Sequence, residues 1–396
     1  MKSNKARSCL RMNIFIDLTG LRRSITGIEN YTLHFAKTLL NMDNKNEYHF
    51  LFRRNIHPDF QDPVNLSSRF TFSISKFKSQ FLTEQLFIPW FLANHNFDFA
   101  FFPCFPPGLF VIHKKLVFLC HDAVMWKYPK TLSLKNKLYF RPLAENALWK
   151  ASLVCTNSES SREDIGHYFP NVHERTINIG AAISDKYSEF DSAMIPKVLR
   201  KFGISRKYLL CVSSLEPRKN IPFIVTTTAE ILRKHDLLLV LVGRAAWGRT
   251  AIDKAIQRVN ISERVVRTGY VSLNDLKCLY SAAEVFLFPS LYEGFGFPIL
   301  EAFACGCPVI TSNVSSMPHV AGDAALLIDP TSEEDMKRAI HAILRQEHVR
   351  SALISKGSQQ LSKFSWTLSC ERFVHTLEKL NNQLGEHLRA SAAKEK

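Results

Sequence analysis

No apolar run in this chain is long enough to cross a bilayer. The longest candidates, LLLVLVG and KLVFLCHDAVMW, are strand-sized or interrupted by charge, whereas a spanning helix needs about 20 apolar residues. The opening MKSNKARSCLRMNIFID is basic but passes straight into a strand, without the apolar core and cleavage site of a signal peptide, so a cytoplasmic location is expected. Cysteine pairs are lacking too. The nine cysteines are an odd number, scattered through apolar segments with no CxxC, and only Cys305 and Cys307 lie close together. Buried reduced thiols fit this better than disulfides or zinc. No GxGxxG follows the first strand, which excludes the usual dinucleotide enzyme. No DxD is present to hold a divalent cation between phosphates, so neither a cofactor nor a metal is expected. Acidic residues are the scarce charge, 36 against 51 Lys and Arg, for a net charge of +15. The basic residues are dispersed and match no nucleic-acid module, so nucleic acid is not an expected partner. An enzyme that handles acidic diphosphates at an anionic membrane face suits the same charge.

What is present is a soluble composition, 46% hydrophobic and 22% charged, over 396 residues. That length suits two domains, each with its own core. Strand-like runs alternate with helical periodicity throughout, as in α/β folds. The expected layout is a first Rossmann-like domain over 12–184, a polar linker over 185–207 containing Pro196, and a second over 208–364. A helix over 365–383 and a charged tail over 384–396 follow. FLTEQLFIPWFLANHNFDFAFFP is dense in aromatics. Its apolar residues do not segregate onto one face opposite Lys and Arg, so core is the expectation rather than a membrane surface. LKNKLYFRPLAENALWKAS is expected to be a basic amphipathic helix kinked at Pro142, with Lys135, Lys137 and Arg141 on a solvated face.

The chemistry concentrates in residues 284–330, EVFLFPSLYEGFGFPILEAFACGCPVITSNVSSMPHVAGDAALLIDP. The pattern predicts strand, loop, helix, strand, loop and strand, with the short helix starting at Pro298 and ending at Gly306. Ile299, Leu300, Phe303 and Ala304 share its apolar arc, and Glu301 points elsewhere. Glu293 leaves the strand at the carboxyl end, where open α/β sheets bind ligands. Phe295, Gly296 and Phe297 bring backbone N–H groups toward a helix N-terminus, a natural seat for phosphate oxygens. Two carboxylates and an anion seat suit a nucleotide sugar. Taken singly, Glu301 could merely complement the helix dipole and Glu293 could be a solvated loop residue.

Four further places carry candidates. Thr26 is an expected N-cap before GIENYTLHFAKTLL, with Gly27 allowing a close backbone approach. KLVFLCHD ends in His121 and Asp122 just past a strand, where a histidine could move a proton or bind a hydroxyl. Arg218 and Lys219 in LEPRKN occupy a βα turn, where cations can clamp a diphosphate. Tyr270 and Val271 end another strand and could flank a nucleobase through their backbone. Capping boxes are expected at Ser272 with Asp275 and at Thr331 with Glu334.

The spacing from Glu293 to Glu301 inside LYEGFGFPILEAFACGCPVI closely resembles the E-x7-E signature of retaining glycosyltransferases with the GT-B fold. TGIENY, HD, EPRKN and GYVS follow in that family's order, so the resemblance covers nearly the whole chain. It implies two Rossmann-like domains facing one cleft. Glu293 and His121 would contact the donor sugar, Glu301 the ribose, Arg218 and Lys219 the diphosphate. Transfer would be retaining and metal-independent. The overall pattern is similar to bacterial mannosyltransferases of lipopolysaccharide and surface-polysaccharide assembly, implying GDP-mannose as donor and a saccharide or lipid-linked acceptor. Three departures stand out: Glu29 where the family often has a glycine, Ser213 or Ser214 where it has a further basic residue, and His319 where many relatives have glutamate. A UDP-sugar transferase, a nucleotide-sugar epimerase or hydrolase, and a non-catalytic subunit remain alternatives at this stage.

Overall fold

The computed structural model describes residues 11–21, 27–61, 69–187, 191–244 and 249–394, with side chains to 383. Thr26 lies outside the described residues. Two all-parallel sheets organise the chain. The first holds β1 (Asn13–Asp17), β2 (Glu47–Phe52), β3 (Phe70–Ile74), β4 (Phe99–Phe102), β5 (Leu116–Leu119), β6 (Leu153–Thr156) and β7 (Thr176–Asn178), in the order β3-β2-β1-β4-β5-β6-β7. The second holds β8 (Tyr208–Val212), β9 (Leu238–Val242), β10 (Val265–Gly269), β11 (Val285–Phe288), β12 (Val309–Ser312) and β13 (Ala325–Ile328), in the order β10-β9-β8-β11-β12-β13. The central strands β4, β5, β6, β9, β11 and β12 are buried at every residue. Helices covering both faces explain why they are continuous apolar runs rather than alternating ones.

In each sheet the strand order reverses once, between β1 and β4 and between β8 and β11. Those two points are where an α/β sheet opens a crevice at its carboxyl edge. The segment expected as a linker contains turns at Asp185–Tyr187 and Ser192–Met194 and a helix at Ile195–Lys201. It lies against the second domain, with Lys277 Nζ donating to Lys186 O at 2.9 Å and Lys201 paired with Asp275 at 2.7 Å. The last helix, Trp366–Lys394, packs on the first domain. Cys370 Sγ donates to Phe35 O at 3.5 Å, and Trp366 meets the rings of Tyr31 and His34. This helix runs on through the tail expected to fray.

Several local expectations change. The loop expected after β12 contains a short helix, Met317–Ala321. The helix Glu333–Arg345 is capped by Ser332, whose hydroxyl accepts from Asp335 N at 3.2 Å, one residue beyond the expected Thr331 and Glu334. In helix Phe297–Ala304 it is Ala302, not Ala304, that completes the buried face. The aromatic stretch after residue 80 divides. Phe87, Ile88, Phe91 and Leu92 enter the core, whereas Phe81, Leu82, Leu86 and Trp90 are exposed. Its last residues form β4, a central strand with no alternation to announce it. Two π-turns, Thr83–Phe87 and Asn136–Phe140, each run into a helix with proline in its first turn, Pro89 and Pro142. Proline lacks the N–H that an uninterrupted α-helix would need there. Of the eight cysteines described, all are free thiols and only Cys305 is not fully buried.

Candidate active site

The site grows from the second sheet's reversal point. β8 delivers Arg218 and Lys219, and β11 delivers Glu293, so cations and carboxylate leave neighbouring strands at the same edge. Asn220, at φ 60°, holds the turn after the cations in the left-handed region, and its side chain donates to Pro330 O at 2.7 Å. Asparagine tolerates that conformation better than most residues. Arg218 Nη1 donates to Glu293 Oε2 at 2.8 Å and Lys219 Nζ to Oε1 at 2.5 Å. Both cations, expected to clamp a diphosphate, grip the carboxylate. All three side chains are largely buried. Burial opposes ionisation of Glu293, but the Arg218 and Lys219 charges prevail and bring it down to about 2. Ser315 and Ser316 fix the backbone beneath it, both hydroxyls donating to Glu293 O, at 2.6 and 2.9 Å.

The first domain closes onto this loop. A Cβ on Gly294 would lie 2.5 Å from His121 O and 2.7 Å from Asp122 Cβ, so only glycine lets the two loops meet. Ser158 Oγ donates to Gly294 O at 2.5 Å, and the Tyr292 hydroxyl accepts from Ala123 N at 3.0 Å. Asp122 feels the charges of Arg218, Glu293 and Lys219, although burial leaves its carboxyl raised. His121 Nε2 pairs with Pro103 O at 2.8 Å, which fixes that nitrogen as the protonated one and leaves Nδ1 an acceptor. Burial lowers its pKa to about 4, the Pro103 bond opposing, so the ring is neutral near pH 7. A crevice of about 400 Å³ opens at Tyr292 and Ser315, lined also by Lys127, Tyr128 and Asp329. Another cavity, of about 320 Å³, lies at the amino ends of β1 and β2 around Asn13 and Glu47, at the wrong end of the sheet for this chemistry.

Glu301 belongs to a separate subsite, where its partners are tyrosine hydroxyls rather than cations. Tyr280 donates to its Oε2 at 3.1 Å and Tyr187, from the crossing segment, hydrogen-bonds the same carboxylate. Burial raises its pKa, the two hydroxyls opposing. A carboxylate presented this way suits vicinal hydroxyls. Tyr270, close enough to Tyr187 to act on it, is exposed, with Arg244 over its ring, 4.7 Å from the centroid. The Val271 and Phe295 side chains are core, so these two positions face the cleft through backbone alone. Gly296, at φ 109°, caps helix Phe297–Ala304; Pro298 has no N–H and Ile299 N donates to Gly296 O at 3.0 Å, so the first turn offers a ligand only the Phe297 amide. Phe297 is half-buried against Phe295. Gly27 opens the first helix with nothing within 4 Å of where a Cβ would stand, whereas Glu29 is buried.

The sequence reading missed Tyr187, Tyr280, Ser315 and Asp17. Asp17 ends β1 at the first sheet's reversal point; burial pushes its carboxyl up to about 7, with Thr19 and Arg53 opposing and Glu84 adding. Its signal, an acid closing a buried strand, was visible in NIFID.

The family model described as glycosyl transferases group 1 matches residues 196–360. O-antigen chain mannosyltransferase B of Escherichia coli is 32% identical over 272 residues, which cover 66% of this chain and 70% of that one. The chain belongs to the glycosyl transferases group 1 family. Serotype-specific mannosyltransferase WbdA of Escherichia coli is 27% identical over 277 residues, but the match covers only 34% of that longer protein. Among solved structures, Anabaena Alr3699/HepE in complex with UDP and glucose superposes with a TM-score of 0.70 at 18% identity, covering 93% of this glycosyltransferase and 100% of that chain. WaaG, a glycosyltransferase of lipopolysaccharide biosynthesis, gives 0.67 at 18% identity, covering 92% and 99%. The fold of this group 1 glycosyltransferase is thus GT-B.

Proposed function

We propose that this glycosyltransferase moves mannose from GDP-mannose, with retained anomeric configuration and without a metal, to a saccharide or lipid-linked acceptor in O-antigen or related lipopolysaccharide assembly. The observation that carries the reading is the Arg218–Glu293–Lys219 cluster pressed against His121 and Asp122 at the meeting of both sheet edges. An arriving diphosphate competes with Glu293 for the two cations. As the bond between sugar and phosphate breaks, negative charge grows on the leaving phosphate, and Arg218, Lys219 and the Phe297 backbone amide stabilise it. Glu293 and neutral His121 Nδ1 then face the sugar hydroxyls, while Glu301 holds the ribose. The acceptor enters from the first domain, past Asp17. Mannose as the sugar follows the names of the Escherichia coli relatives. HepE, crystallised with UDP-glucose, supports UDP-glucose as the second reading.

Thermal-shift screening against GDP, UDP, ADP and dTDP separates the two. Stabilisation by GDP, followed by transfer of labelled mannose with an α-linked product by NMR, is the expected result. Stabilisation by UDP alone overturns the donor.

A further inference from the structure

We propose that one face of the first domain, built from residues 79–94, 108–112 and 134–150, docks on an anionic phospholipid bilayer. Eleven of the seventeen exposed large hydrophobic residues among those described fall between residues 74 and 150. Leu82, Leu86 and Trp90 recur every fourth residue and so share one helical stripe facing solvent. Leu134 and Leu138 repeat the spacing on the next helical segment, Leu138 at 76% exposure. Phe110 and Ile112, the latter 85% exposed, project from the loop after β4.

These pieces form one surface. The Phe81 and Tyr139 rings lie 6.0 Å apart, joining the two stripes. Leu109 N donates to Gln85 Oε1 at 2.9 Å and Lys150 Nζ donates to Leu109 O at 2.8 Å, tying the loop to both. Patches of this size on soluble proteins mark interaction sites.

Charge selects the occupant. Within these segments or just before them Lys76, Lys78, Lys135, Lys137 and Lys150 are exposed, and no carboxylate is. Lys76 Nζ stands over the Trp90 ring at 5.2 Å and Lys135 Nζ over the Phe140 ring at 5.2 Å, so positive charge sits directly beside the exposed apolar side chains. Apolar side chains flanked by lysines are how a protein lies in the headgroup layer of an anionic membrane. A second copy of this chain would bring the same lysines face to face.

The face backs onto the acceptor end of the cleft. The Tyr139 hydroxyl donates to Glu84 Oε2 at 2.7 Å, and Glu84 acts on Asp17 at the end of β1. That orientation rests on the reading of the acceptor as lipid-linked; the docking itself does not.

The test is co-sedimentation of the full chain with phosphatidylcholine vesicles, with and without phosphatidylglycerol. The chain should pellet with the mixed vesicles, and added salt should weaken that binding only in part. L86E/W90E and L134E/L138E should each lower the bound fraction about tenfold at an unchanged melting temperature, while L327E, on the second domain, should have no effect. Wild type left in the supernatant with both vesicles overturns the proposal, as do double variants that bind like wild type. A wild-type dimer in sedimentation velocity that the double variants dissolve also overturns it and gives the face to a second copy. Absence of any nucleotide stabilisation would sink the donor reading and leave the vesicle result standing.

Discussion

Three side chains of the cleft make separable demands. His121 is neutral throughout the physiological range, its pKa lowered to about 4 by burial. Its contribution to turnover should therefore not titrate, and the kcat/KM profiles of wild type and H121N should share one shape between pH 6 and 8. A rate step near pH 6.5 that H121N abolishes would refute this. Glu293→Gln takes away the carboxylate that Arg218 and Lys219 hold, and kcat should fall by about 10²–10³. Glu301→Gln, in the subsite with Tyr187 and Tyr280, should instead raise the donor Kd by roughly tenfold with kcat little changed. Both are read by steady-state kinetics and calorimetry. Lys219→Met leaves a buried carboxylate with one cation and should cost about 3–5 kcal/mol of stability, seen in the denaturant midpoint.

At the scale of elements, the site depends on two loops being able to touch. Gly294→Ala puts a methyl group where His121 O already stands, and backbone cannot yield as a side-chain tip can. The loops must separate, and a misplacement of about 1 Å should cost about 10²-fold in kcat while nucleotide binding to the second domain persists. Equal losses of both would show that the second domain itself had collapsed. Much of this architecture was legible. The apolar runs of β5, β8, β9 and β11, the helix Ile221–Lys234 and the two-turn helix after Gly296 follow directly from run length, proline and glycine. β4 was not legible, because FAFF continues an aromatic series whose earlier members are helical and has no period to mark the change. Nor was the exposed stripe Leu82, Leu86 and Trp90. Apolar residues occupy both faces of this segment, so nothing in its pattern marks which face meets solvent. The Arg218 and Lys219 turn was placed by sequence, but its ion pair with Glu293, 74 residues away, is a product of β8 and β11 pairing. Tyr187 reaches Glu301 only because the crossing segment lies on the second domain, which no local pattern announces.

For the molecule as a whole, two carboxyls set opposite pH trends. Glu293 has its pKa lowered to about 2 from the usual 4.5, so its stabilising contribution is present above pH 4.5 and is lost as pH falls toward 2. Asp17 is raised from 3.8 to about 7, so the stability associated with its neutral form is complete below 3.8 and is lost as pH rises through 7. Thermal unfolding across pH should show Asp17→Asn gaining on wild type by roughly 5 °C between pH 4 and pH 8. A constant difference would show that Asp17 does not titrate on folding.

The helix that begins at Trp366 supplies Cys370, Phe373 and Leu377 to the core beside the first helix. On the ribosome, every other element of both sheets is synthesised before these residues emerge. Until translation passes Leu377, a nascent chain carries an unfilled apolar groove along its earliest-made domain, exposed for the length of time needed to translate the second. Of the two domains, the one made earlier is thus the one completed later.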